Sequence, residues 1–500
     1  MYKRQGVHAE EVYPGYGYEP TQGDHIGQKE YSPFLNRGYP QRVLWGDTHL
    51  HTSYSTDAGM IGNKLGPDEA YRFARGEMVT SSSGVRARLQ RPLDFLVVAD
   101  HAENLGLAPM IAEKNPELLK LEFGKKIAQL VYDGKYDEAY TLWGQGMTTR
   151  EDPLKGQEAI TRTMWQRLTE TAEQFNEPGK FTALIGYEWT SSPGGNNLHR
   201  NVIFRDGKDE ADQVIPFSNY DSSNPEDLWA WMQAYEEKTG GQVLAIPHNG
   251  NLSNGLMFND QTSAGEALSS DYAQQRMRWE PVYEVTQMKG DGEAHPALSP
   301  NDEFADYGTW DKGSFGAEPK PAEMLPREYA REAYKRGLTY EESLGANPFK
   351  FGMIGSTDSH TSLATTGENN YFGKATPGEP SADEDRFQEK ITGYLQEPGG
   401  PDITIRHFQT LAAGLAAVWA TDNTREAIWD ALNRKEVYST TGTRMTVRVF
   451  AGWDFEEPEV QRPDFAATGY LRGVPMGGDL QDAPDGKAPT FMVRALRDLD

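Results

Sequence analysis

Short runs of apolar and β-branched residues recur at 43–48, 94–99, 181–187, 242–247, 281–286, 351–356 and 436–441, and each reads as a buried strand. Helical patterns precede several of them. Ser223-Asn224-Pro225-Glu226 reads as a capping box with proline in the first turn. Leu228, Trp229, Trp231, Met232 and Tyr235 then mark a helix face, and Gly240-Gly241 ends it before the next strand. Thr424 to Trp429 starts another helix ahead of Val437-Tyr438-Ser439. Repeated helix-then-strand units with apolar strands predict a parallel α/β sheet, and seven strands predict closure into an irregular β/α barrel.

Two inserts break the rhythm. Residues 105–178 carry a helical pattern through Ile160, Met164, Leu168, Ala172 and Phe175, whereas 288–348 is polar and rich in Gly, Pro, Asp and Glu. Both read as lids over the strand ends or as decoration and oligomer contacts. Residues 1–40, rich in Gly, Pro and Tyr, read as an N-terminal arm, and 41–445 as the barrel. After Arg444 the pattern alternates, as in Thr446-Val447-Arg448-Val449-Phe450, so 446–500 reads as the start of a small β-domain that is cut short. The opening Met1 to Gln5 reads like translated adapter DNA, and the sequence predicts a fragment lacking both natural termini.

Composition narrows the chemistry. With 49 Lys+Arg against 75 Asp+Glu, the net charge is -26, which disfavours nucleic-acid polymers and anionic membranes as partners. The longest apolar stretch, Leu411 to Ala420, is too short to span a bilayer, so a soluble protein is expected and its compartment stays open. There is no cysteine, so any metal must be held by His, Asp and Glu.

Such residues stand where the strands end. His49-Leu50-His51 follows the first run, Asp100-His101 the second, Gly186-Tyr187-Glu188 closes the third, Pro247-His248 the fourth, and Asp358-Ser359-His360 follows the sixth. β/α barrels present catalytic groups at the C-terminal ends of their strands, so these residues converge in space as a metal site. His295 and His407 read as structurally satisfied histidines instead. Arg200, Lys289 and Arg444 follow strands and could grip an anion or simply lie on the surface. Asn249 and Asn251 could contact substrate or shape a turn.

The motifs W-G-D-T-H-L-H-T, F-L-V-V-A-D-H-A-E, G-Y-E-W-T, N-L-H-R-N, I-P-H-N-G-N, G-S-T-D-S-H and V-Y-S-T-T-G-T-R together resemble the PHP (polymerase and histidinol phosphatase) superfamily over about residues 40–445. In detail they resemble its long-chain branch labelled domain of unknown function 3604. The resemblance implies an irregular seven-stranded, TIM-like barrel holding two or three divalent metal ions. His49, His51 and Asp358 would hold the first ion, with Glu188 bridging to a second held also by His199 and His248. Asp57, His101 and His360 would hold the third. Asp57 stands where several relatives use His, which implies altered affinity there. Asp47 and Asp100 read either as acceptors fixing the ligand imidazoles or as strand-end caps.

Three divalent ions against the three ligand carboxylates leave a net +3 pocket in an acidic protein, suited to a small anionic substrate. His and carboxylate ligation fits Zn, Mn or Fe. The expected activity is a metal-dependent phosphoesterase that hydrolyses a small organic phosphate monoester or diester through a hydroxide bridging the metals, with Glu188, Asp358 and His360 at its catalytic centre. The alternatives are a metallohydrolase acting on an amide or sulfate ester, and a non-catalytic metal-binding module.

Overall fold

A computed structural model describes residues 38–499, apart from 317–318, 393–399, 401, 412 and 485. Most of the expected N-terminal arm, residues 1–37, lies outside the described residues. Nine strands form the central α/β layer: β1 Leu44–Leu50, β2 Phe95–Val98, β3 Thr182–Trp189, β4 Arg200–Phe204, β5 Val243–Pro247, β6 Val282–Gln287, β7 Gly352–Gly355, β8 Leu415–Val418 and β9 Val437–Thr440. All seven expected strand runs are present. The strands β4 and β8 come in addition.

Seven of the nine form one curled sheet in the order β9-β8-β1-β2-β3-β4-β5. β1, β2 and β3 pair in parallel, with Gly46 opposite Phe95 and Phe95 opposite Thr182. Gly46 is required there, because a Cβ at this position would lie 2.5 Å from the Phe95 ring. β4 runs antiparallel to β3 and β5, and β8 runs antiparallel to β1 and β9. The expectation of a closed parallel barrel is therefore corrected to a half-barrel of mixed direction. Residues 190–199 form only a hairpin between β3 and β4, since a parallel crossover takes roughly a dozen residues or more. β6 and β7 pair in parallel in a separate small sheet, which meets β5 through a single bridge at His248 and Glu284.

Helices cover the outside. The 105–178 insert folds as α1 Leu107–Ala112, α2 Glu122–Tyr132, α3 Tyr136–Thr149 and α4 Glu158–Phe175, and α4 buries Ile160, Met164, Leu168 and Ala172 as its spacing predicts. α5 Pro225–Thr239 begins with proline in its first turn and ends at Gly240 in a left-handed conformation, φ 76°. The 288–348 insert ends in α6 Ala330–Leu344, and α7 Arg425–Asn433 is capped by the Thr424 side chain, which accepts from Ala427 N. After residue 445, β10 Thr446–Gly452 pairs antiparallel with β11 Gly473–Pro475 and β12 Thr490–Leu496. Tyr39 stacks on Tyr470 of this unit, with ring centres 4.9 Å apart.

Candidate metal centre

Strand alternation puts residues two apart on one face, and β1 uses it to point two imidazoles inward. His49 Nε2 and His51 Nε2 lie 3.0 Å apart. Glu188, near the end of β3, faces them with one oxygen: its Oε2 is 3.1 Å from His51 Nε2 and 3.5 Å from His49 Nε2. Asp358 completes the group, its Oδ1 3.4 Å from His49 Nε2 and 3.3 Å from His51 Nε2. Asp358 holds a left-handed backbone, φ 51°, and its amide bonds to His49 O at 2.8 Å, which fixes the carboxylate over β1.

The same Glu188 serves a second group through its other oxygen. Oε1 is 2.7 Å from His199 Nδ1 and 2.8 Å from His248 Nε2. The hairpin turn explains why a histidine eleven residues further along reaches Glu188: β4 returns beside β3, and Asn197 Oδ1 accepts from the His199 amide at 3.2 Å. A third group forms around Asp57 Oδ2, 3.1 Å from His101 Nε2 and 2.9 Å from His360 Nε2. His101 Nδ1 is also 3.1 Å from Glu188 Oε2. All nine residues that the resemblance implies as ligands thus meet in one buried cluster.

This donor set fits divalent ions. Five contacts in the first group span 3.0 to 3.5 Å. A tetrahedral ion with bonds of about 2.1 Å would hold its donors about 3.4 Å apart. Glu188 Oε2 is buried without a hydrogen-bond donor, which a cation would satisfy. Four combinations here could hold an ion, one of three histidines, His51 with His101 and His360, and three that include a carboxylate: His49 with His51 and Glu188; His49 with His248 and Glu284; and Glu188 with His199 and His248.

Electrostatics agree. Burial would push Glu188 up, but His101, His199 and His248 outweigh it and hold the carboxylate well below its usual range. Asp358 is likewise held low against burial by Lys289, Lys374 and His49. Burial drives His199 and His360 down to about 3, so both are neutral and able to ligate. Burial also opposes charge on His101, yet Asp57 and Glu188 raise it to about 10. In the metal-free protein His101 therefore supplies positive charge that bound ions would replace.

Three contributors escaped the sequence reading. Glu284 on β6 places Oε2 and Oε1 at 3.0 and 3.1 Å from His49 Nδ1, the outer contact that orients a ligand imidazole. Its signal was present: a lone acid inside the apolar strand Val282-Tyr283-Glu284-Val285. Gln287 Nε2 donates to Asp358 Oδ2 at 2.5 Å. Lys374 Nζ lies 2.5 Å from Asp358 Oδ1 and 2.7 Å from His360 Nδ1, arriving on a loop with no distinguishing pattern.

Other expected residues go elsewhere. Arg200 follows His199 and so points to the opposite face of β4, where it ion-pairs with buried Glu280 at 3.0 Å. Arg444 lies at the far end of the sheet, donating to Pro92 O at 2.8 Å and Arg91 O at 2.7 Å, ahead of β2, whereas His101 follows it. Lys289 does reach the cluster, 2.7 Å from Asp358 Oδ2. Asn249 Oδ1 accepts from Gln287 Nε2 at 2.8 Å, and Asn251 Nδ2 donates to Lys289 O at 3.0 Å, shaping the turn.

Asp47 and Asp100 touch no imidazole directly. Asp47, inside β1, accepts from the His49 amide and the Thr357 hydroxyl and so ties the loop after β7 to β1, and Asp100 accepts from the Thr52 amide and hydroxyl just beyond the end of β1. The Asp100 carboxylate approaches His51 through Ser55, whose Oγ is 2.7 Å from His51 Nδ1. His295 pairs with Asp311 at 3.0 Å outside the cluster, and His407 is buried elsewhere. The 288–348 insert reaches the site: Phe315 N donates to Gly195 O at 3.1 Å, and the Phe315 ring lies 5.5 Å from Lys289 Nζ.

Fold and site together define an α/β protein whose strand ends gather histidines and carboxylates into buried clusters that could hold metal ions. The chain belongs to the DUF3604 family, described as a protein of unknown function, whose model matches residues 38–500. No curated protein matches it in sequence. Among solved structures it is similar to a two-domain protein from Bacteroides vulgatus ATCC 8482, described as containing a predicted PHP-like metal-dependent phosphoesterase. That likeness has 11% identity and a TM-score of 0.33, covering 93% of this chain and 88% of that one. No helix among the described residues is long and apolar enough to cross a membrane.

Proposed function

We propose that this protein is a metal-dependent phosphoesterase of the PHP type, acting on a small organic phosphate monoester or diester. The observation that carries the reading is Glu188. One carboxylate faces His199 and His248 with Oε1 and His49, His51 and His101 with Oε2, an arrangement suited to adjacent cations. Two or three ions of Zn, Mn or Fe suit these donors. Bound there, they would supply a water of lowered pKa and polarise the phosphoryl oxygens.

The chain supplies the rest. Glu284 orients the His49 ring through Nδ1, and Ser55 does so for His51. Asp358 and Glu188 fix the spacing of the first group, and Lys289 stands beside Asp358 to meet an anion. Hydrolysis forms one P–O bond to water and breaks the ester P–O bond. The alcohol leaves with one of the water's protons, and the phosphate product keeps the other.

The test is a panel of phosphomonoester, phosphodiester, sulfate ester and amide substrates, offered to protein reconstituted separately with Zn, Mn and Fe. Metal-dependent turnover of a phosphate ester that vanishes in His49→Ala supports the proposal. Turnover of only the sulfate ester or amide would transfer the site to that bond. No turnover by folded, metal-loaded protein would leave a metal-binding module.

A further inference from the structure

Two lysines at this site have no place in metal ligation. Lys289 Nζ lies 2.7 Å from Asp358 Oδ2 and Lys374 Nζ lies 2.5 Å from Asp358 Oδ1, so one carboxylate carries an ammonium on each oxygen. Both lysines are buried. Buried charges are ordinarily paired, and Lys320 shows the ordinary solution here, with its own buried partner Glu328 at 2.8 Å. Lys289 and Lys374 instead share a partner that also faces His49 and His51. Once Asp358 serves a metal, two ammoniums remain with less than one carboxylate between them. A dianion would satisfy that excess.

Enclosure is the second observation. The side chains of His49, His51, His248, Glu188 and Asp358 are at most 1% exposed. His101, His199, His360 and both lysines are between 5% and 8%, and Asp57 is the most open at 19%. A phosphodiester has to pass a substituent out on two sides of its phosphorus. A terminal phosphate enters end-on, brings three terminal oxygens and leaves one substituent outside.

We propose that Lys289 and Lys374 grip the dianionic end of a phosphate monoester, and that the site is built for a terminal phosphate in preference to a diester linkage. The inference rests on the phosphoesterase reading of the same site. Its product, inorganic phosphate, is the probe. In calorimetry on manganese-loaded protein, Lys289→Met and Lys374→Met should each weaken inorganic phosphate at least tenfold while elemental analysis finds the wild-type metal content. Wild-type protein should hydrolyse phenyl phosphate at least a hundredfold faster than methyl phenyl phosphate, a comparison that stands even where a variant fails to fold.

Unchanged phosphate affinity in both variants would overturn the proposal. So would loss of metal in place of phosphate, since the lysines would then serve Asp358 alone, and so would equal or faster turnover of the diester. Phosphate-ester turnover with unchanged phosphate affinity sinks this inference only. Metal-loaded wild-type protein that hydrolyses neither ester sinks the phosphoesterase reading with it.

Discussion

Replacing Glu284 by glutamine separates the orienting role of this residue from its charge. Glutamine keeps an acceptor oxygen for His49 Nδ1, which now meets carboxylate oxygens at 3.0 and 3.1 Å, and removes the negative charge. Loss of such an outer contact costs about 10- to 100-fold in metal affinity. Glu284→Gln, with its acceptor retained, should sit near the tenfold end, about 1.4 kcal/mol. Glu284→Ala leaves a buried N–H without an acceptor and should approach the hundredfold end.

The metal-free protein should respond in the opposite sense. Burial pushes the Glu284 carboxyl from 4.5 up to about 8, opposed by His248 and reinforced by Asp358 and Glu188. Because the folded value lies above the unfolded one, the stabilisation is full below pH 4.5 and is lost as pH climbs through about 8. Between about pH 5 and pH 7 the wild-type protein should lose on the order of 2 kcal/mol relative to Glu284→Gln, which does not titrate. Chelator-competition titrations read the affinity, and thermal midpoints of chelator-treated protein across this pH range read the stability. Undiminished metal affinity in Glu284→Gln would show that the carboxylate charge does not support His49, and parallel pH profiles for the two proteins would show that Glu284 does not titrate in this range.

Further expectations follow from the same contacts. His199→Ala removes the imidazole 2.7 Å from Glu188 Oε1, and elemental analysis should find one metal equivalent fewer than in wild type. Glu280→Ala strands Arg200 and Arg276, both buried and paired to it at 3.0 and 3.1 Å. It should cost about 3–5 kcal/mol, seen as a lower thermal midpoint with unchanged metal content per folded molecule. Chelation should lower the wild-type midpoint, and restoring metal at a hundred times its Kd should return about 2.7 kcal/mol.

The strand framework was legible because seven short runs are dominated by apolar and β-branched residues. The missed strands have physical reasons. Arg200 and Asn201 mask the start of β4, while β8 is the alanine-rich Leu415-Ala416-Ala417-Val418, notable in sequence only as too short for a membrane span. Direction is harder still. A period-two pattern is the same in parallel and antiparallel strands, so the hairpin between β3 and β4 and the open curl of the sheet were not visible. Histidines at strand ends were readable because the position itself carries the chemistry. Glu284 was hidden inside a strand and Lys374 in a loop, where only the fold brings them to His49 and Asp358. Arg200 illustrates the converse: a cation next to His199 in sequence, turned away from the cluster by alternation.

As a proposed metal centre, this cluster depends on Glu188, whose two oxygens face both groups. Elemental analysis of wild type and Glu188→Ala, each loaded with divalent metal and dialysed, tests it most directly. Wild type should retain at least two equivalents, and the folded variant less than half that complement. A wild-type protein that retains no metal, or a variant that retains the same complement, would contradict it.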